Sequence, residues 1–411
     1  MKSIIQALKE RGFIQQCTNE TAIEKAATTE KIAFYAGFDP TADSLHVGSL
    51  VPIMAMVHLQ KAGHIPIAII GGGTAMVGDP SGKTEMRKIL KREEIKTNGV
   101  KILTQLKRYL NLDGENGIFV DNAEWLLDLK YIEFLRDIGR HFKVNEMIKM
   151  EAYKQRLERE EGLSFIEFNY QLLQAYDFLV LFDRYKCILQ AGGDDQWGNI
   201  LAGTDLVRKL RNESVYGLTF PLLTTARGQK MGKTEKGTIW LDANKTSPYE
   251  FYQYWINTDD RDVIRFLLFF TFLPLEEIDQ MEKLKDEELR QAKETLAFEA
   301  TKITHGEEEA QRAKSASKAA FAKSGDDLSA MSTTKIPHVR LSVGILVADL
   351  FCETGLTPTK TAARRLIEQG GAYINDEKIV SVNTRITGEA LKNNSLILRC
   401  GKKKYHRIIA E

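Results

Sequence analysis

The residues best suited to chemistry lie in Tyr35-Ala-Gly-Phe-Asp-Pro-Thr-Ala-Asp-Ser-Leu-His-Val-Gly-Ser49. An apolar run, Ile32-Ala33-Phe34, precedes this stretch and reads as a buried strand. Leu50-Val-Pro-Ile-Met-Ala-Met-Val-His-Leu-Gln60 follows it with apolar residues at helical spacing. A strand therefore ends, a polar loop carrying Gly37, Asp39 and Pro40 turns over it, and a helix begins near His46 or Val47. A helix N-terminus offers unpaired N–H groups and partial positive charge to a phosphate. Gly48 has no Cβ to obstruct a ligand, and His46 adds a donor for developing phosphate charge. Pro52 falls in the helix's opening region, where a missing N–H matters least. Far downstream, Lys230-Met-Gly-Lys-Thr234 sits in a glycine-bearing loop after Thr225-Ala-Arg-Gly-Gln229. Two lysines and a hydroxyl on a mobile loop suit a triphosphate whose charge is neutralised only during reaction. Taken alone, the first stretch fits an ordinary capped helix equally well, and the second fits solvated surface.

A helix between them carries a polar stripe. In Phe165-Ile-Glu-Phe-Asn-Tyr-Gln-Leu-Leu-Gln-Ala-Tyr-Asp-Phe-Leu179, Tyr170, Gln174 and Asp177 stand at i, i+4 and i+7 and share one face of an otherwise apolar helix. Buried polar groups need partners, so the stripe is either a satisfied core network or the wall of a ligand site. The strand Cys187-Ile-Leu-Gln190 then enters Gly192-Gly-Asp-Asp-Gln-Trp-Gly-Asn199, a turn whose acidic and amide groups suit ribose hydroxyls.

The elements that must position these groups follow in order. A strand over 32–38, a helix over 50–62 and a buried strand over 65–70 form a βαβ unit, which implies a parallel sheet with helices on its faces. Ligands in such sheets sit beyond the C-terminal strand ends, where the loops 37–48 and 71–82 both lie. Residues 83–165 read as a charged helical insertion, with one short strand at 117–120 and continuous helix over 141–164. The last strand before the lysine loop spans 218–223. Beyond Trp240 the pattern turns helical, with Pro248 at the first position of one helix. A linker is expected at 326–341. The tail gives a helix over 343–353, a second from Thr357-Pro358 to Gly370-Gly371, then a turn at Asn375-Asp376 and short strands. Lys360 and Arg364 share a helical face there, Arg365 flanks it, and 402–404 adds cations. The expected fold is α/β: a Rossmann-like parallel-sheet catalytic domain over 1–240, an all-α domain over 241–325, and a small α+β domain over 342–411.

With 411 residues, 43% of them hydrophobic, two or three domains with ample cores are expected. A net charge of +1 gives no global field for nucleic acid, so RNA contact must come from local basic patches. Cys17, Cys187, Cys352 and Cys400 form no C-x-x-C pair and no metal-ligand spacing, which favours a reducing compartment. Charge interrupts residues 1–11 too soon for a signal peptide, and the apolar cluster around 266–273 is too short to span a bilayer. A cytoplasmic protein is expected. The G-x-G-x-x-G fingerprint of dinucleotide-binding enzymes does not follow the first strand.

His46-Val-Gly-Ser49 together with Lys230-Met-Gly-Lys-Thr234 resembles the HIGH and KMSKS signatures with which class I aminoacyl-tRNA synthetases bracket ATP. The strings Tyr35-Ala-Gly-Phe-Asp-Pro-Thr-Ala-Asp43, Gly78-Asp-Pro-Ser-Gly82 and Gly192-Gly-Asp-Asp-Gln-Trp-Gly-Asn199 narrow the resemblance to the bacterial-type tyrosyl-tRNA synthetases, over nearly the whole chain. The tail resembles an S4 RNA-binding domain. The resemblance implies activation of L-tyrosine by ATP, then transfer to the 3′-terminal adenosine of tRNA(Tyr). His46, Lys230, Lys233 and Thr234 would serve catalysis. Gly37, Asp39, Thr41, Gly48, Ser49, Gly193, Asp195, Gln196 and Met231 would complete the ATP site. Asp79, Tyr170 and Gln174 would hold the tyrosine ammonium, Tyr35 and Asp177 its phenol, with Gln190 beside them. Lys360, Arg364 and Arg365 would meet RNA. Mg2+ would accompany ATP without a protein-bound metal, and part of the 83–165 insertion would form a homodimer interface. Ser49 departs from the second HIGH histidine, and Gly232 and Thr234 from the KMSKS serines. Tryptophanyl-tRNA synthetase is the nearest rival, but Asp177 with Tyr35 favours a phenol. An RNA-binding descendant with a degenerate site is a second rival, and it is expected to lack His46 or the lysines.

Overall fold

The computed structural model describes residues 3–81, 90–158, 162–226, 228, 231–234, 237–285, 288–321, 332–375, 377–392, 394–401 and 404–411, leaving aside the side chains of 233–234 and 320–321. Two compact units emerge, one of residues 1–245 and 258–292, the other of 246–257 and 293–411.

The first unit is built on a six-stranded sheet: β1 (Gln16–Cys17), β2 (Ala33–Phe38), β3 (Ile65–Ile70), β4 (Ile118–Asp121), β5 (Cys187–Gly193) and β6 (Tyr216–Phe220), in spatial order β1-β6-β5-β2-β3-β4. The neighbours from β6 to β4 are parallel, while β1 pairs antiparallel with β6 at the edge. β2 and β3 are near-continuous apolar runs because both faces are covered. From β2 the chain runs outward through β3 to β4, then returns to lay β5 and β6 on the other side. Between β2 and β5 the order therefore reverses, and a crevice opens beyond their C-terminal ends.

Helix α1 (Leu50–Lys61) follows a 3-10 turn at Val47–Ser49 and is buried at most positions. Pro52 lies in its first turn, where backbone N–H groups have no intrahelical partner. Helix α2 (Arg92–Leu106) crosses from the insertion back towards the 40–45 loop. The continuous helix expected over 141–164 is instead broken into Val144–Met147 and Glu151–Leu157. Ser164 and Glu167 then form a capping box that starts a new short helix, Phe165–Phe168. A buried ion pair, Arg156 to Glu167 at 2.9 Å, ties these pieces together. Helix α3 (Tyr170–Tyr185) carries the polar stripe and ends at Lys186 in the left-handed region, φ 55°. Helix α4 (Trp197–Arg211) packs along α3.

In the second unit, helix Pro248–Ile256 opens with a Ser247–Glu250 capping box and Pro248 at its start. The C-terminal part folds around a five-stranded sheet ordered Glu377–Lys378, Ala372–Ile374, Ser395–Cys400, Lys404–Ala410, Thr333–Ile336. Part of the expected 326–341 linker is thus an edge strand, Thr333–Ile336, pairing in parallel with Lys404–Ala410. The helix expected over 343–353 starts only at Val347 and runs to Glu353, and a separate short helix, His338–Val343, comes before it. Gly344 at φ 82° ends the short helix, and Ile345–Leu346 intervenes by pairing with Arg385–Ile386. Helix α5 (Lys360–Glu368) lies against Val347–Glu353.

Candidate active site

A cavity of about 350 Å3 opens at the reversal point between β2 and β5. It gathers Tyr35, Gly37, Asp39, Ser49, Asp79, Tyr170, Gln174, Asp177, Gln190, Gly193, Asp195 and Gln196 along its walls. β2 presents Tyr35 in register with Gln190 of β5, and one turn after another of α3 adds Tyr170, Gln174 and Asp177. Thr41, His46, Gly48 and Met231 lie outside that lining. Lys230 is outside the described residues, as are the side chains of Lys233 and Thr234.

At one end, Asp177 is buried and accepts from Asn122 Nδ2 at 2.9 Å and Trp125 Nε1 at 2.7 Å. Burial pushes its carboxyl up to about 7, against the lowering effect of those two donors. Burial also raises the neighbouring Tyr35 phenol well above its ordinary range, with the Asp177 charge adding to it. Among the described residues the Tyr35 hydroxyl and Gln190 Oε1 have no hydrogen-bond partner, and Phe178 packs edge-on to the Tyr35 ring at 5.2 Å. Buried orphan groups are costly, so they mark a place for a ligand. An anionic acceptor beside a hydroxyl donor complements a group that both donates and accepts, as a phenol does. Asn122 and Trp125 were not foreseen from sequence. They follow β4, more than fifty residues before Asp177 in the chain, and neither stands in a motif.

The titration of Asp177 has a sign. A phenol accepting from Tyr35 must donate to Asp177, so binding needs the ionised carboxyl. For a phenol ligand the expected affinity is therefore highest above pH 7 and falls as pH drops through it. A phenol ligand's Kd is expected to rise about tenfold from pH 8 to pH 6, by calorimetry at fixed ionic strength. For folding the sign is opposite. The neutral carboxyl suits its buried place, so the contribution is present at acid pH and is lost as pH rises towards 7.

At the cavity's polar wall, Asp79 accepts from Gln196 Nε2 at 2.7 Å and the Ser81 N–H at 2.9 Å. Asn199 Nδ2 donates to Gln174 Oε1 at 3.1 Å and Gln196 Oε1 at 3.2 Å, so α3 and α4 share one network. Asp39 accepts from the Tyr170 hydroxyl at 3.0 Å and from Thr74 Oγ1 at 2.8 Å. Gly71 is required here, because a Cβ would lie 1.9 Å from the Asp39 carboxylate. A carboxylate with hydroxyl and amide oxygens around it suits an ammonium with three N–H donors.

The phosphate-suited end is His46 and Gly48. His46 caps the 3-10 turn, its Nδ1 accepting from the Gly48 N–H at 3.0 Å, which leaves the ring hydrogen on the exposed Nε2. The segment around Gly232 packs directly on this turn. Gly232 takes φ 79°, and a Cβ on it would lie 3.3 Å from the Gly48 nitrogen. Glycine in place of the KMSKS serine therefore serves a left-handed backbone in close approach, not looseness alone. The Val47 N–H bonds the Ile239 carbonyl at 3.0 Å, and His46 bridges to Trp240.

In the second unit, Arg364 and Arg365 are exposed on α5, while Lys360 pairs with Asp349 at 2.9 Å.

Residues 27–322 match the family model described as tRNA synthetases class I (W and Y), and 327–408 match the tyrosine–tRNA ligase SYY-like C-terminal domain. The chain is 56% identical to the tyrosine–tRNA ligase of Acetivibrio thermocellus over 99% of each sequence. It is 52% identical to that of Caldanaerobacter subterraneus subsp. tengcongensis over 100% of each. The chain belongs to the tyrosyl-tRNA synthetases. Its shape agrees: a C-terminally truncated mitochondrial tyrosyl-tRNA synthetase of Aspergillus nidulans superposes with a TM-score of 0.71 at 32% identity, covering 78% of this chain and 95% of that one. As a class I tyrosine–tRNA ligase, the enzyme forms tyrosyl-adenylate from ATP and then charges tRNA. The match to the tyrosine-specific C-terminal model and the ligase relatives set aside the tryptophanyl reading. No described helix is long and apolar enough to cross a membrane.

Proposed function

We propose that the cavity between β2 and β5 holds both reactants of tyrosine activation, with tyrosine inside and ATP over its mouth. The observation that carries this reading is the pairing of an orphaned Tyr35 hydroxyl with a buried, doubly held Asp177. Tyr35 and Asp177 read the phenol, and Gln190 offers its unpaired oxygen beside them. Asp79, Tyr170 and Gln174 receive the ammonium. Asp39 has its two oxygens engaged by Tyr170 and Thr74, so it acts on ATP from the boundary between the substrates.

The tyrosine carboxylate attacks the α-phosphorus, and the bond to the β-phosphate oxygen breaks as pyrophosphate leaves with the electron pair. His46 Nε2–H stabilises the charge that develops, while the Gly48 N–H holds the imidazole in place through Nδ1. Gly37, Thr41, Ser49, Gly193, Asp195 and Gln196 seat the nucleotide, with Met231 holding the lysine loop in place. Lys230, Lys233 and Thr234 neutralise the departing pyrophosphate. In the second step a ribose hydroxyl of the tRNA terminus attacks the acyl carbon and AMP departs, so no protein nucleophile is needed.

Mg2+ supplies charge neutralisation on the phosphates. It would arrive with ATP. The helical domain over 241–325 and the S4-like domain over 342–411 receive tRNA, the latter through Arg364, Arg365 and, once released from Asp349, Lys360. Exposed Tyr131, Ile132, Val144 and Phe165 in the insertion support a homodimer. Cys17, Cys187, Cys352 and Cys400 form no disulfide, which suits the cytoplasm.

ATP–pyrophosphate exchange without tRNA, offering tyrosine, phenylalanine and tryptophan in turn, tests the pocket. Exchange with tyrosine alone is expected. Comparable exchange with either competitor sinks the phenol-reading assignment.

A further inference from the structure

One face of α2 reaches the signature loop at three points. Asn98, Lys101 and Gln105 stand at i, i+3 and i+7. Asn98 Nδ2 donates to the Pro40 carbonyl at 3.2 Å, and Lys101 Nζ to Asp43 Oδ2 at 3.1 Å. Gln105 Oε1 accepts from the Leu45 N–H at 2.9 Å, while its Nε2 donates to Ser44 Oγ at 3.0 Å. Asn98, Gln105 and Ser44 are 6%, 5% and 4% exposed, so these amides leave water only because the loop satisfies them. A second element grips the same loop from the other side. Asp43 Oδ1 pairs with Lys245, whose ammonium stands 5.0 Å over the Trp240 ring, and Trp240 bridges His46. The Leu241 N–H completes the seam by bonding the Leu45 carbonyl at 2.9 Å. The backbone over 40–45 is thus held on both sides immediately before His46.

We propose that Asn98, Lys101 and Gln105, with the shared Asp43–Lys245 pair, are positioning residues that set His46 and the Gly48 turn for the phosphoryl-transfer step. The proposal rests on the assignment of His46 to that step. None of these side chains itself lines the cavity; Gln105 reaches its wall only through the backbone N–H of Leu45. Their effect belongs to the rate constant of adenylate formation and not to tyrosine binding, since small misplacements of a catalytic group cost rate steeply.

The test is single-turnover adenylate formation and equilibrium tyrosine binding for Gln105→Met, Lys101→Met and His46→Ala, each checked for folding by thermal melting. Gln105→Met keeps side-chain length and removes the hydrogen bonds. It is expected to slow adenylate formation about tenfold, with tyrosine Kd changed less than about twofold. Lys101→Met, at an exposed position, is expected to slow it about threefold and to weaken the salt dependence of the rate. Wild-type rates in folded Gln105→Met and Lys101→Met, with His46→Ala impaired, overturn the positioning proposal alone. A tyrosine Kd that weakens in step with the rate also overturns it. A wild-type rate in His46→Ala overturns the reading of His46 beneath it. If Gln105→Met does not fold, Lys101→Met and Asp43→Asn decide: slowed adenylate formation at an unchanged melting temperature supports the proposal, and an unchanged rate overturns it.

Discussion

Replacing Asp177 by alanine lowers kcat/KM for tyrosine by about 10³, and the loss falls mainly on tyrosine binding. Three donors lose one acceptor: Asn122 Nδ2, Trp125 Nε1 and the incoming phenol. Removing one member of a buried, charge-assisted network costs about 3–5 kcal/mol, because the partners stay buried and unpaired. At about 1.4 kcal/mol per tenfold, that is two to four decades. Asp177→Asn retains an acceptor oxygen and is expected to lose less. It should also flatten the pH dependence of tyrosine binding around pH 7, since the titrating group is gone. Initial-rate pyrophosphate exchange at pH 8 measures the first effect, and calorimetry between pH 6 and 8 the second.

Replacing His46 by alanine slows adenylate formation by about 10² to 10³ while tyrosine Kd stays within about twofold of wild type. One preorganised donor aimed at developing charge contributes on this scale. The imidazole does double duty. Nδ1 accepts from the Gly48 N–H and orders the turn, and on the proposed reading Nε2–H serves the phosphates. His46→Asn keeps a short cap acceptor but lacks a donor at the reach of Nε2. It should preserve the turn and still lose most of the rate. Equal losses in rate and tyrosine affinity would mean that His46 holds the pocket together instead of acting on the phosphates.

The central strands, the strand-end loops and the shared face of Tyr170, Gln174 and Asp177 were legible because local periodicity and glycine placement encode them. β2 and β3 are short apolar runs bounded by turn residues, and α3 keeps helical spacing along its whole polar stripe. The partners of that stripe were not legible. Asn122 and Trp125 reach Asp177 only through the pairing of β4 beside β3, and Thr74 reaches Asp39 through β3 beside β2; no local pattern announces these side-chain contacts. Asp39 reads as a nucleotide ligand from its loop, yet its carboxylate is turned to Tyr170 and Thr74. The α2 face carrying Asn98, Lys101 and Gln105 has the composition of a solvated surface, and only the fold shows that its amides are buried. Boundaries failed where a few residues set them. Gly344 keeps one expected helix from starting before Val347, Ser164 and Glu167 restart another, and Thr333–Ile336 becomes a strand only because Lys404–Ala410 supplies an edge.

The most direct test of the pocket is the ratio of kcat/KM for tyrosine to that for phenylalanine, measured by pyrophosphate exchange in wild type, Tyr35→Phe and Asp177→Asn. Wild type is expected to favour tyrosine by at least about 100-fold, because phenylalanine leaves the Tyr35 hydroxyl and the Asp177 carboxylate buried without their partner. Both variants should lower the tyrosine value and leave the phenylalanine value unchanged or higher, so that the ratio collapses. If tyrosine and phenylalanine fall in parallel and the ratio survives, Tyr35 and Asp177 shape the cavity without reading the phenol.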